Sequence, residues 1–199
     1  MTTEELKQKY GDEMVLVIPS SAVTHAEKDV SYYLDREIDF CTKKDGVAKY
    51  RWEVENDPSF KQLVVYAVLQ DENGFVYATH RLAGDGRLTG KTSVGTGGHV
   101  QPNETLTEAL FRELNEEVGV TPDDMYAIQR VGYILDESSP VNSVHLGVVY
   151  LITVSNTDAV NVREKDKLSG LWVDDGILAN LFHSDSLESW SEIVYRHVL

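Results

Sequence analysis

Hydrophobic residues are grouped in strand-length runs on either side of one long helical stripe. A largely apolar run covers Gln62–Gln70, a polar turn follows at Asp71–Gly74, and a second apolar run covers Phe75–His80, so these residues predict a β-hairpin. From Glu104 to Val118, apolar residues recur at helical spacing and predict an amphipathic helix. Further strands are predicted at Ala127–Leu135, His145–Val154 and Gly170–Val173, and a closing helix at Leu187–Val198. Strands on both sides of a strong central helix predict an α+β or α/β sandwich.

The first sixty residues form a segment with a different pattern. A short polar helix is predicted at Thr3–Lys9, a strand at Met14–Ile18, and a helix within Ala26–Phe40, where apolar residues fall roughly at helical spacing. The turn-forming cluster Asn56–Ser59 directly precedes the strong apolar run and marks a boundary. We therefore expect an N-terminal α/β extension over residues 1–60, packed on the core or at a dimer interface, and a second domain over residues 61–199.

The net charge of the chain limits the kinds of molecule that we expect it to bind. The chain has 199 residues, with 33 acidic and 18 basic side chains and a formal net charge of −15. Because phosphate backbones select basic surfaces, this balance argues against binding of nucleic-acid polymers. Small phosphorylated substrates remain compatible with it, since a bound divalent metal ion reverses the local charge. The sequence contains neither a signal-peptide pattern nor an apolar run long enough to span a bilayer, so we expect a cytoplasmic protein without a membrane partner.

The central helix has recognisable ends. Thr105 and Glu108 are spaced as a capping box, in which each side chain accepts a hydrogen bond from a backbone N–H group of the first turn. Gly119 is suited to the left-handed conformation that ends many helices. These signals place a helix directly after a glycine-rich loop.

One face of this helix carries a cluster of carboxylates. Glu113, Glu116 and Glu117 stand at positions i, i+3 and i+4, so their side chains are neighbours in space. Arg112 offsets only part of their mutual repulsion. Clustered carboxylate oxygens are the hard ligands that Mg²⁺ and Mn²⁺ prefer. The glycines of Gly95–Gly98 allow backbone carbonyls to approach the same ion, so the pattern predicts a divalent-metal site.

From Gly98 to Val120 the sequence resembles the Nudix box. The resemblance extends to every specified position of the motif, and its fixed residues are Gly98, Glu104, Arg112, Glu113, Glu116, Glu117 and Gly119. It implies an α/β/α sandwich around a mixed sheet, in which the box forms a loop, a helix and a second loop. It also implies a hydrolase that uses Mg²⁺ or Mn²⁺ to cleave a diphosphate linkage, typically in a nucleoside diphosphate derivative, by attack of water on phosphorus. The resemblance further implies that the chain forms a homodimer.

The resemblance also implies roles for individual residues. Glu113, Glu116 and Glu117 would be the metal-binding carboxylates, and the backbone carbonyl of Gly97 a further ligand. Glu116 would in addition help to activate water, and Arg112 would orient a glutamate through a salt bridge. On this basis we expect Glu113, Glu116 and Arg112 to be the catalytic residues.

The remaining box residues would be structural. Gly98 and Glu104 would shape the loop that precedes the helix, and Gly119 would end the helix. One departure from the family is visible, because many members have Pro immediately before the double glycine, where this chain has Thr96. We expect this change to alter the loop without removing metal binding.

Candidate residues outside the box are harder to choose. Arg81 and Lys91 are candidates for contact with substrate phosphates. In many Nudix enzymes an acidic residue outside the box assists catalysis, and Asp136, Glu137 and Glu164 are the candidates here. The sequence leaves the choice among them open, as it does the substrate and the preferred metal ion.

Two other functions are compatible with the same resemblance. The chain is alternatively a catalytically silent Nudix-fold ligand sensor or interaction module, although such domains often lose box glutamates and none is lost here. An isoprenoid diphosphate isomerase ranks last, since that chemistry uses a cysteine near the site and Cys41 lies far upstream. A narrower similarity to bacterial Nudix proteins described as predicted phosphoesterases rests on Val15–Pro19 and on Gly97–Val100.

Overall fold

The computed structural model of the chain describes residues 1–23, 32–34, 46–82 and 89–199, and within 32–34 it describes the backbone. The helices of these residues are α1 (Thr3–Tyr10), α2 (Arg51–Val54), α3 (Leu106–Val118), α4 (Asp175–His183) and α5 (Ser189–His197). The strands are β1 (Met14–Pro19), β2 (Tyr32–Leu34), β3 (Val47–Tyr50), β4 (Phe60–Gln70), β5 (Val76–Arg81), β6 (Thr92–Ser93), β7 (Met125–Leu135), β8 (His145–Val154) and β9 (Leu168–Val173). The predicted mixture of sheet and helices is confirmed.

The chain forms two compact units, each assembled from separate stretches of sequence. One unit consists of Met1–Val65, Gly98–Ala109 and Gly132–Val148. The other consists of Tyr66–Gly97, Leu110–Val131 and Val149–Leu199. Strands β4, β7 and β8 and helix α3 contribute residues to both units, so the units do not coincide with the beginning and the end of the chain.

Six of the strands pair in the order β2-β7-β8-β4-β1-β3. Strand β1 runs antiparallel to β3 and to β4, where Val17 lies opposite Gln62. Its residues 15–18 are buried, as expected for a strand between two neighbours. The Leu16 N–H group also donates to the Val100 carbonyl oxygen at 2.8 Å. The predicted strand at Met14–Ile18 is therefore confirmed, and it contacts the start of the box.

In the second unit, β5 pairs with β4, β6 and β9. Its antiparallel pairing with β9 continues for the whole length of both strands, from Val76 opposite Val173 to Arg81 opposite Leu168. This register places Arg81 at the end of β5, as the sequence predicts.

Helix α3 begins two residues later than its hydrophobic pattern predicts, because the residues before Leu106 form its cap. The Thr105 N–H group donates to the Glu108 carboxylate at 2.7 Å, and the Glu108 N–H group donates to the Thr105 hydroxyl at 3.2 Å. The predicted capping box is therefore confirmed. At the other end, Gly119 has φ of +75°, the left-handed conformation expected of a residue that ends a helix.

One prediction for the N-terminal segment is wrong at the residues that the structure describes. Within Ala26–Phe40, the backbone of Tyr32–Leu34 forms strand β2 and not a helix, since it pairs antiparallel with the end of β7, where Tyr32 lies opposite Leu135. Pairing with a distant strand overrides a weak local helical pattern. The rest of that predicted helix, and Cys41, lie outside the described residues.

Several short elements have no strong sequence signal. Strand β3 is four residues long and largely exposed, and α2 is a single helical turn. Helix α4 buries only Leu178 completely, although Asp174 caps its first turn by accepting from the Ile177 N–H group at 2.8 Å. In the described part of the chain, every helix is too short or too polar to cross a membrane.

Candidate active site

The three clustered glutamates lie on one side of helix α3, and each accepts a hydrogen bond from another residue. Arg112 Nη1 donates to Glu113 Oε1 at 2.6 Å and to Glu116 Oε2 at 3.3 Å. Glu117 Oε2 accepts from the Thr96 hydroxyl at 2.8 Å. Arg112 therefore contacts the pair of glutamates at i+1 and i+4, whereas Glu117 turns towards the loop before the box.

Burial and repulsion between neighbouring carboxylates both raise the pKa of Glu113 and of Glu117. Desolvation is the largest effect on Glu113 and raises its pKa, with Glu116 and Glu117 adding to the rise and Arg112 opposing it. Desolvation also raises the pKa of Glu117, because neighbouring groups surround the carboxyl even though the residue as a whole is exposed. Ionisation of these carboxyl groups therefore costs free energy, and a nearby cation would offset that cost.

The loop before the box is fixed to strand β4 by backbone hydrogen bonds. Thr96 and Ala67 exchange N–H to carbonyl bonds of 2.8 and 2.9 Å. The following residue, Gly97, has φ of +149°, a conformation that side-chain-bearing residues rarely adopt. A glycine is thus required where the resemblance implies a carbonyl ligand. The carbonyl of Gly98 accepts from the Val65 N–H group at 3.0 Å.

A buried network of hydroxyl groups also fixes the position of this loop. The Tyr66 hydroxyl donates to Glu188 Oε1 at 2.8 Å and lies 2.9 Å from the Ser191 hydroxyl oxygen. Ser191 Oγ in turn accepts from the Val94 N–H group at 2.9 Å. The Tyr66 ring fills the space beside Gly95, where an added Cβ would lie 2.1 Å from a ring carbon. The backbone that leads to Thr96 is therefore held in one position.

The charges of Arg81 and Glu164 have opposite effects on the pKa of Glu117. The positive charge of Arg81 lowers the pKa of Glu117, and the negative charge of Glu164 raises it, so both side chains lie within electrostatic range of this carboxyl. The segment that carries Glu164 is joined to the end of α3, because the Arg163 N–H group donates to the Glu117 carbonyl oxygen at 2.8 Å. The φ of +75° explains the glycine at position 119, since the Arg163 guanidinium, 2.5 Å from where a Cβ would lie, is the end of a flexible side chain.

The other candidate residues from the sequence have different surroundings. Lys91 Nζ lies 3.2 Å from Asp185 Oδ1, at a largely exposed pair. Asp136 is completely buried and accepts from the Ser138 N–H group at 2.9 Å and the Asn142 side-chain amide at 2.7 Å. Glu137 forms an ion pair of 2.5 Å with Lys61, which is itself buried. Glu104 accepts from the Gln101 N–H group at 2.9 Å, a contact that fits its expected role in shaping the loop.

The chemistry of this donor set suits a divalent cation. It combines three carboxylates at one turn of spacing with a backbone carbonyl on a glycine loop, all of which are hard oxygen ligands. In the described ranges, no group of three His, Cys, Asp or Glu side chains is already arranged around a common point. Binding of a cation would require the carboxylate oxygens to move closer together.

Sequence reasoning missed the contribution of Thr96. The hydroxyl of this residue contacts a predicted metal ligand across a separation of 21 positions. The signal that pointed to it was its departure from the family pattern, but the pattern alone did not indicate what the hydroxyl contacts.

Comparison with known proteins connects this site to a family. The sequence model of the NUDIX domain matches residues 60–186. Protein YmaB of Bacillus subtilis (strain 168) is 32% identical over 198 residues, which cover 92% of this chain and 96% of that protein. The 8-oxo-dGTP diphosphatase of Escherichia coli (strain K12) is 32% identical over 73 residues, which cover 37% of this chain and 55% of the enzyme. The crystal structure of Tm1382 superimposes with a TM-score of 0.74 at 24% identity, over 92% of this chain and 97% of that one.

Proposed function

The chain belongs to the Nudix family of hydrolases, and from this premise we propose that it cleaves a diphosphate linkage in a small phosphorylated substrate with the aid of a divalent metal ion. Water attacks one phosphorus atom, its oxygen forms the new P–O bond, and the bridging P–O bond breaks. The proton of the water passes to a carboxylate, and two phosphorylated products leave.

The observation that carries this proposal is the intact carboxylate cluster on α3. Glu113, Glu116 and Glu117, with the Gly97 carbonyl, would hold Mg²⁺ or Mn²⁺. Such an ion would neutralise phosphate charge and polarise the attacking water. The remaining contributions come from the chain itself, because Arg112 holds Glu113 and Glu116 in a common orientation. A rigid arrangement of this kind provides most of what phosphoryl transfer requires.

We propose that Arg81 contacts a substrate phosphate. It lies at the end of β5 within electrostatic range of Glu117, so a phosphate placed there would meet both the cation site and a guanidinium group. Lys91 has weaker support, since its ammonium group is paired with Asp185. The name of the Escherichia coli relative supports a nucleotide as substrate, and we propose a nucleoside diphosphate derivative.

Among the acidic residues outside the box, we propose Glu164 as the assisting carboxylate, because it lies within electrostatic range of Glu117, although it also pairs with Lys167 at 2.7 Å. We expect Glu164→Gln to lower kcat about 10²-fold, the lower end of the range for loss of a proton-transfer group, because the variant lacks the proposed assisting carboxylate. The midpoint of thermal unfolding should hardly change, since the Glu164 side chain is 58% exposed. Steady-state kinetics and thermal unfolding of the same preparations test both expectations.

The rival residue Glu137 provides the comparison. Glu137→Gln removes the negative charge that pairs with the buried Lys61. We therefore expect it to lower the midpoint of thermal unfolding and to leave kcat within about threefold of wild type. A loss of kcat in Glu137→Gln without destabilisation, together with a wild-type rate in Glu164→Gln, would reverse the assignment.

We also propose that residues 1–60 are an extension that packs on the catalytic domain and supports a homodimer. Its strand β1 pairs with β4 and donates a backbone hydrogen bond to Val100, which supports packing on the core.

The experiment that tests the proposed function is product release from a panel of nucleotide and non-nucleotide diphosphates. The wild-type chain is assayed with Mg²⁺, with Mn²⁺ and with excess EDTA. We expect turnover of at least one substrate that EDTA abolishes and added metal restores. Tight binding of a ligand without turnover on the whole panel, unaffected by EDTA, would instead favour the ligand-sensor alternative.

A further inference from the structure

Thr96 combines burial with a hydrogen bond to a proposed metal ligand. The residue is 6% exposed, and its backbone is paired in both directions with Ala67. Its hydroxyl points away from this pairing and lies 2.8 Å from Glu117 Oε2. Because an ionised carboxylate only accepts hydrogen bonds, the hydroxyl is the donor.

This bond is unavailable to the residue that many Nudix family members have at the same position. Proline has neither a hydroxyl to donate to Glu117 nor an N–H group to donate to Ala67. The threonine therefore gives this chain a contact with Glu117 that proline at the same position cannot make.

The position of the hydroxyl is well determined by its surroundings. Strand β4 fixes the Thr96 backbone, and the network of Tyr66, Ser191 and Glu188 fixes the residues just before it. A donor with such support can orient a carboxylate with little loss of entropy on binding, as outer ligand partners do in metal sites.

We propose that Thr96 is a positioning residue, whose hydroxyl orients Glu117 for binding of the divalent cation. This inference rests on the proposed function, because it requires Glu117 to be a ligand. It extends that function by assigning to the departure from the family pattern a specific contribution to cation affinity.

The test is titration of the full-length protein with Mn²⁺ alone, with free Mn²⁺ measured by electron paramagnetic resonance. Thr96→Val keeps the branched shape and removes the hydroxyl, and we expect it to weaken Mn²⁺ binding about tenfold, the lower end of the range for loss of an outer partner. Thr96→Ser restores a donor and should bind within about threefold of wild type.

Two further variants separate positioning from general damage to the fold. Thr92→Val removes another buried hydroxyl, which lies 3.1 Å from His80 Nδ1, and it should leave Mn²⁺ affinity unchanged. In a Glu117→Ala background, Thr96→Val should cause almost no additional loss, because the carboxylate through which it acts has been removed.

The outcomes distinguish this inference from the proposed function. Wild-type affinity in Thr96→Val, or an undiminished loss in the Glu117→Ala background, would overturn the inference while metal binding by wild type stood. If wild type bound no Mn²⁺, or if Glu117→Ala bound it as tightly as wild type, the proposed metal site and the inference would both fail.

Discussion

Replacement of Glu116 by Gln is expected to lower kcat for diphosphate hydrolysis about 10³-fold, within the range for loss of a group that takes part in proton transfer. Gln keeps the shape of the side chain but removes a negative charge from the cluster that would hold the cation. The side chain is 58% exposed and its contact is with Arg112 at 3.3 Å, so the fold should be retained. Steady-state kinetics at saturating Mg²⁺ and Mn²⁺, with thermal unfolding of the same samples, measure both effects.

Glu108→Gln is the matched control for this variant. It makes the same chemical change on the same helix, and glutamine also satisfies a capping box with Thr105. We expect its kcat to remain within about threefold of wild type. The assignment of Glu116 would be wrong if Glu116→Gln kept more than about a tenth of the wild-type kcat, or if both variants lost activity equally.

The parts of the site that could be predicted from sequence are those set by local geometry. The relation of Glu113, Glu116 and Glu117 follows from helical spacing, and the capping box at Thr105 follows from hydrogen bonds within one turn. The strand predicted at His145–Val154 has those bounds in the structure, because a long apolar run is a strong sequence signal. Local rules were sufficient wherever the partners were close in the chain.

Contacts between distant residues were not predictable in this way. The Tyr66 hydroxyl meets Glu188 across 122 positions, and Lys61 meets Glu137 across 76. Each partner has ordinary local sequence, so only the tertiary fold brings them together. The same reason explains strand β2, where pairing with β7 replaced the predicted helix. The choice of Glu164 over Glu137 likewise depends on tertiary surroundings.

The loop that contains Gly95 packs on the Tyr66 ring. A Cβ at Gly95 would lie 2.1 Å from a carbon of this ring, far inside the distance that real atoms adopt. The ring cannot easily move away, since its hydroxyl is bonded to Glu188 and Ser191 and the side chain is buried. The loop itself must therefore shift, and it carries Thr96.

Gly95→Ala is accordingly expected to destabilise the fold by about 1–3 kcal/mol, the usual cost of overpacking. It should also lower kcat about 10²-fold, because a displacement of about 1 Å is enough to disturb a reactive geometry. Urea unfolding and steady-state kinetics measure the two effects. Gly176→Ala, at the start of α4, is the matched control and should stay within about 1 kcal/mol of wild type, since its Cβ would lie 3.3 Å from a side-chain oxygen of Asp174, which has to move only slightly. Unchanged stability and activity in Gly95→Ala would show that the Tyr66 contact does not hold the loop in place.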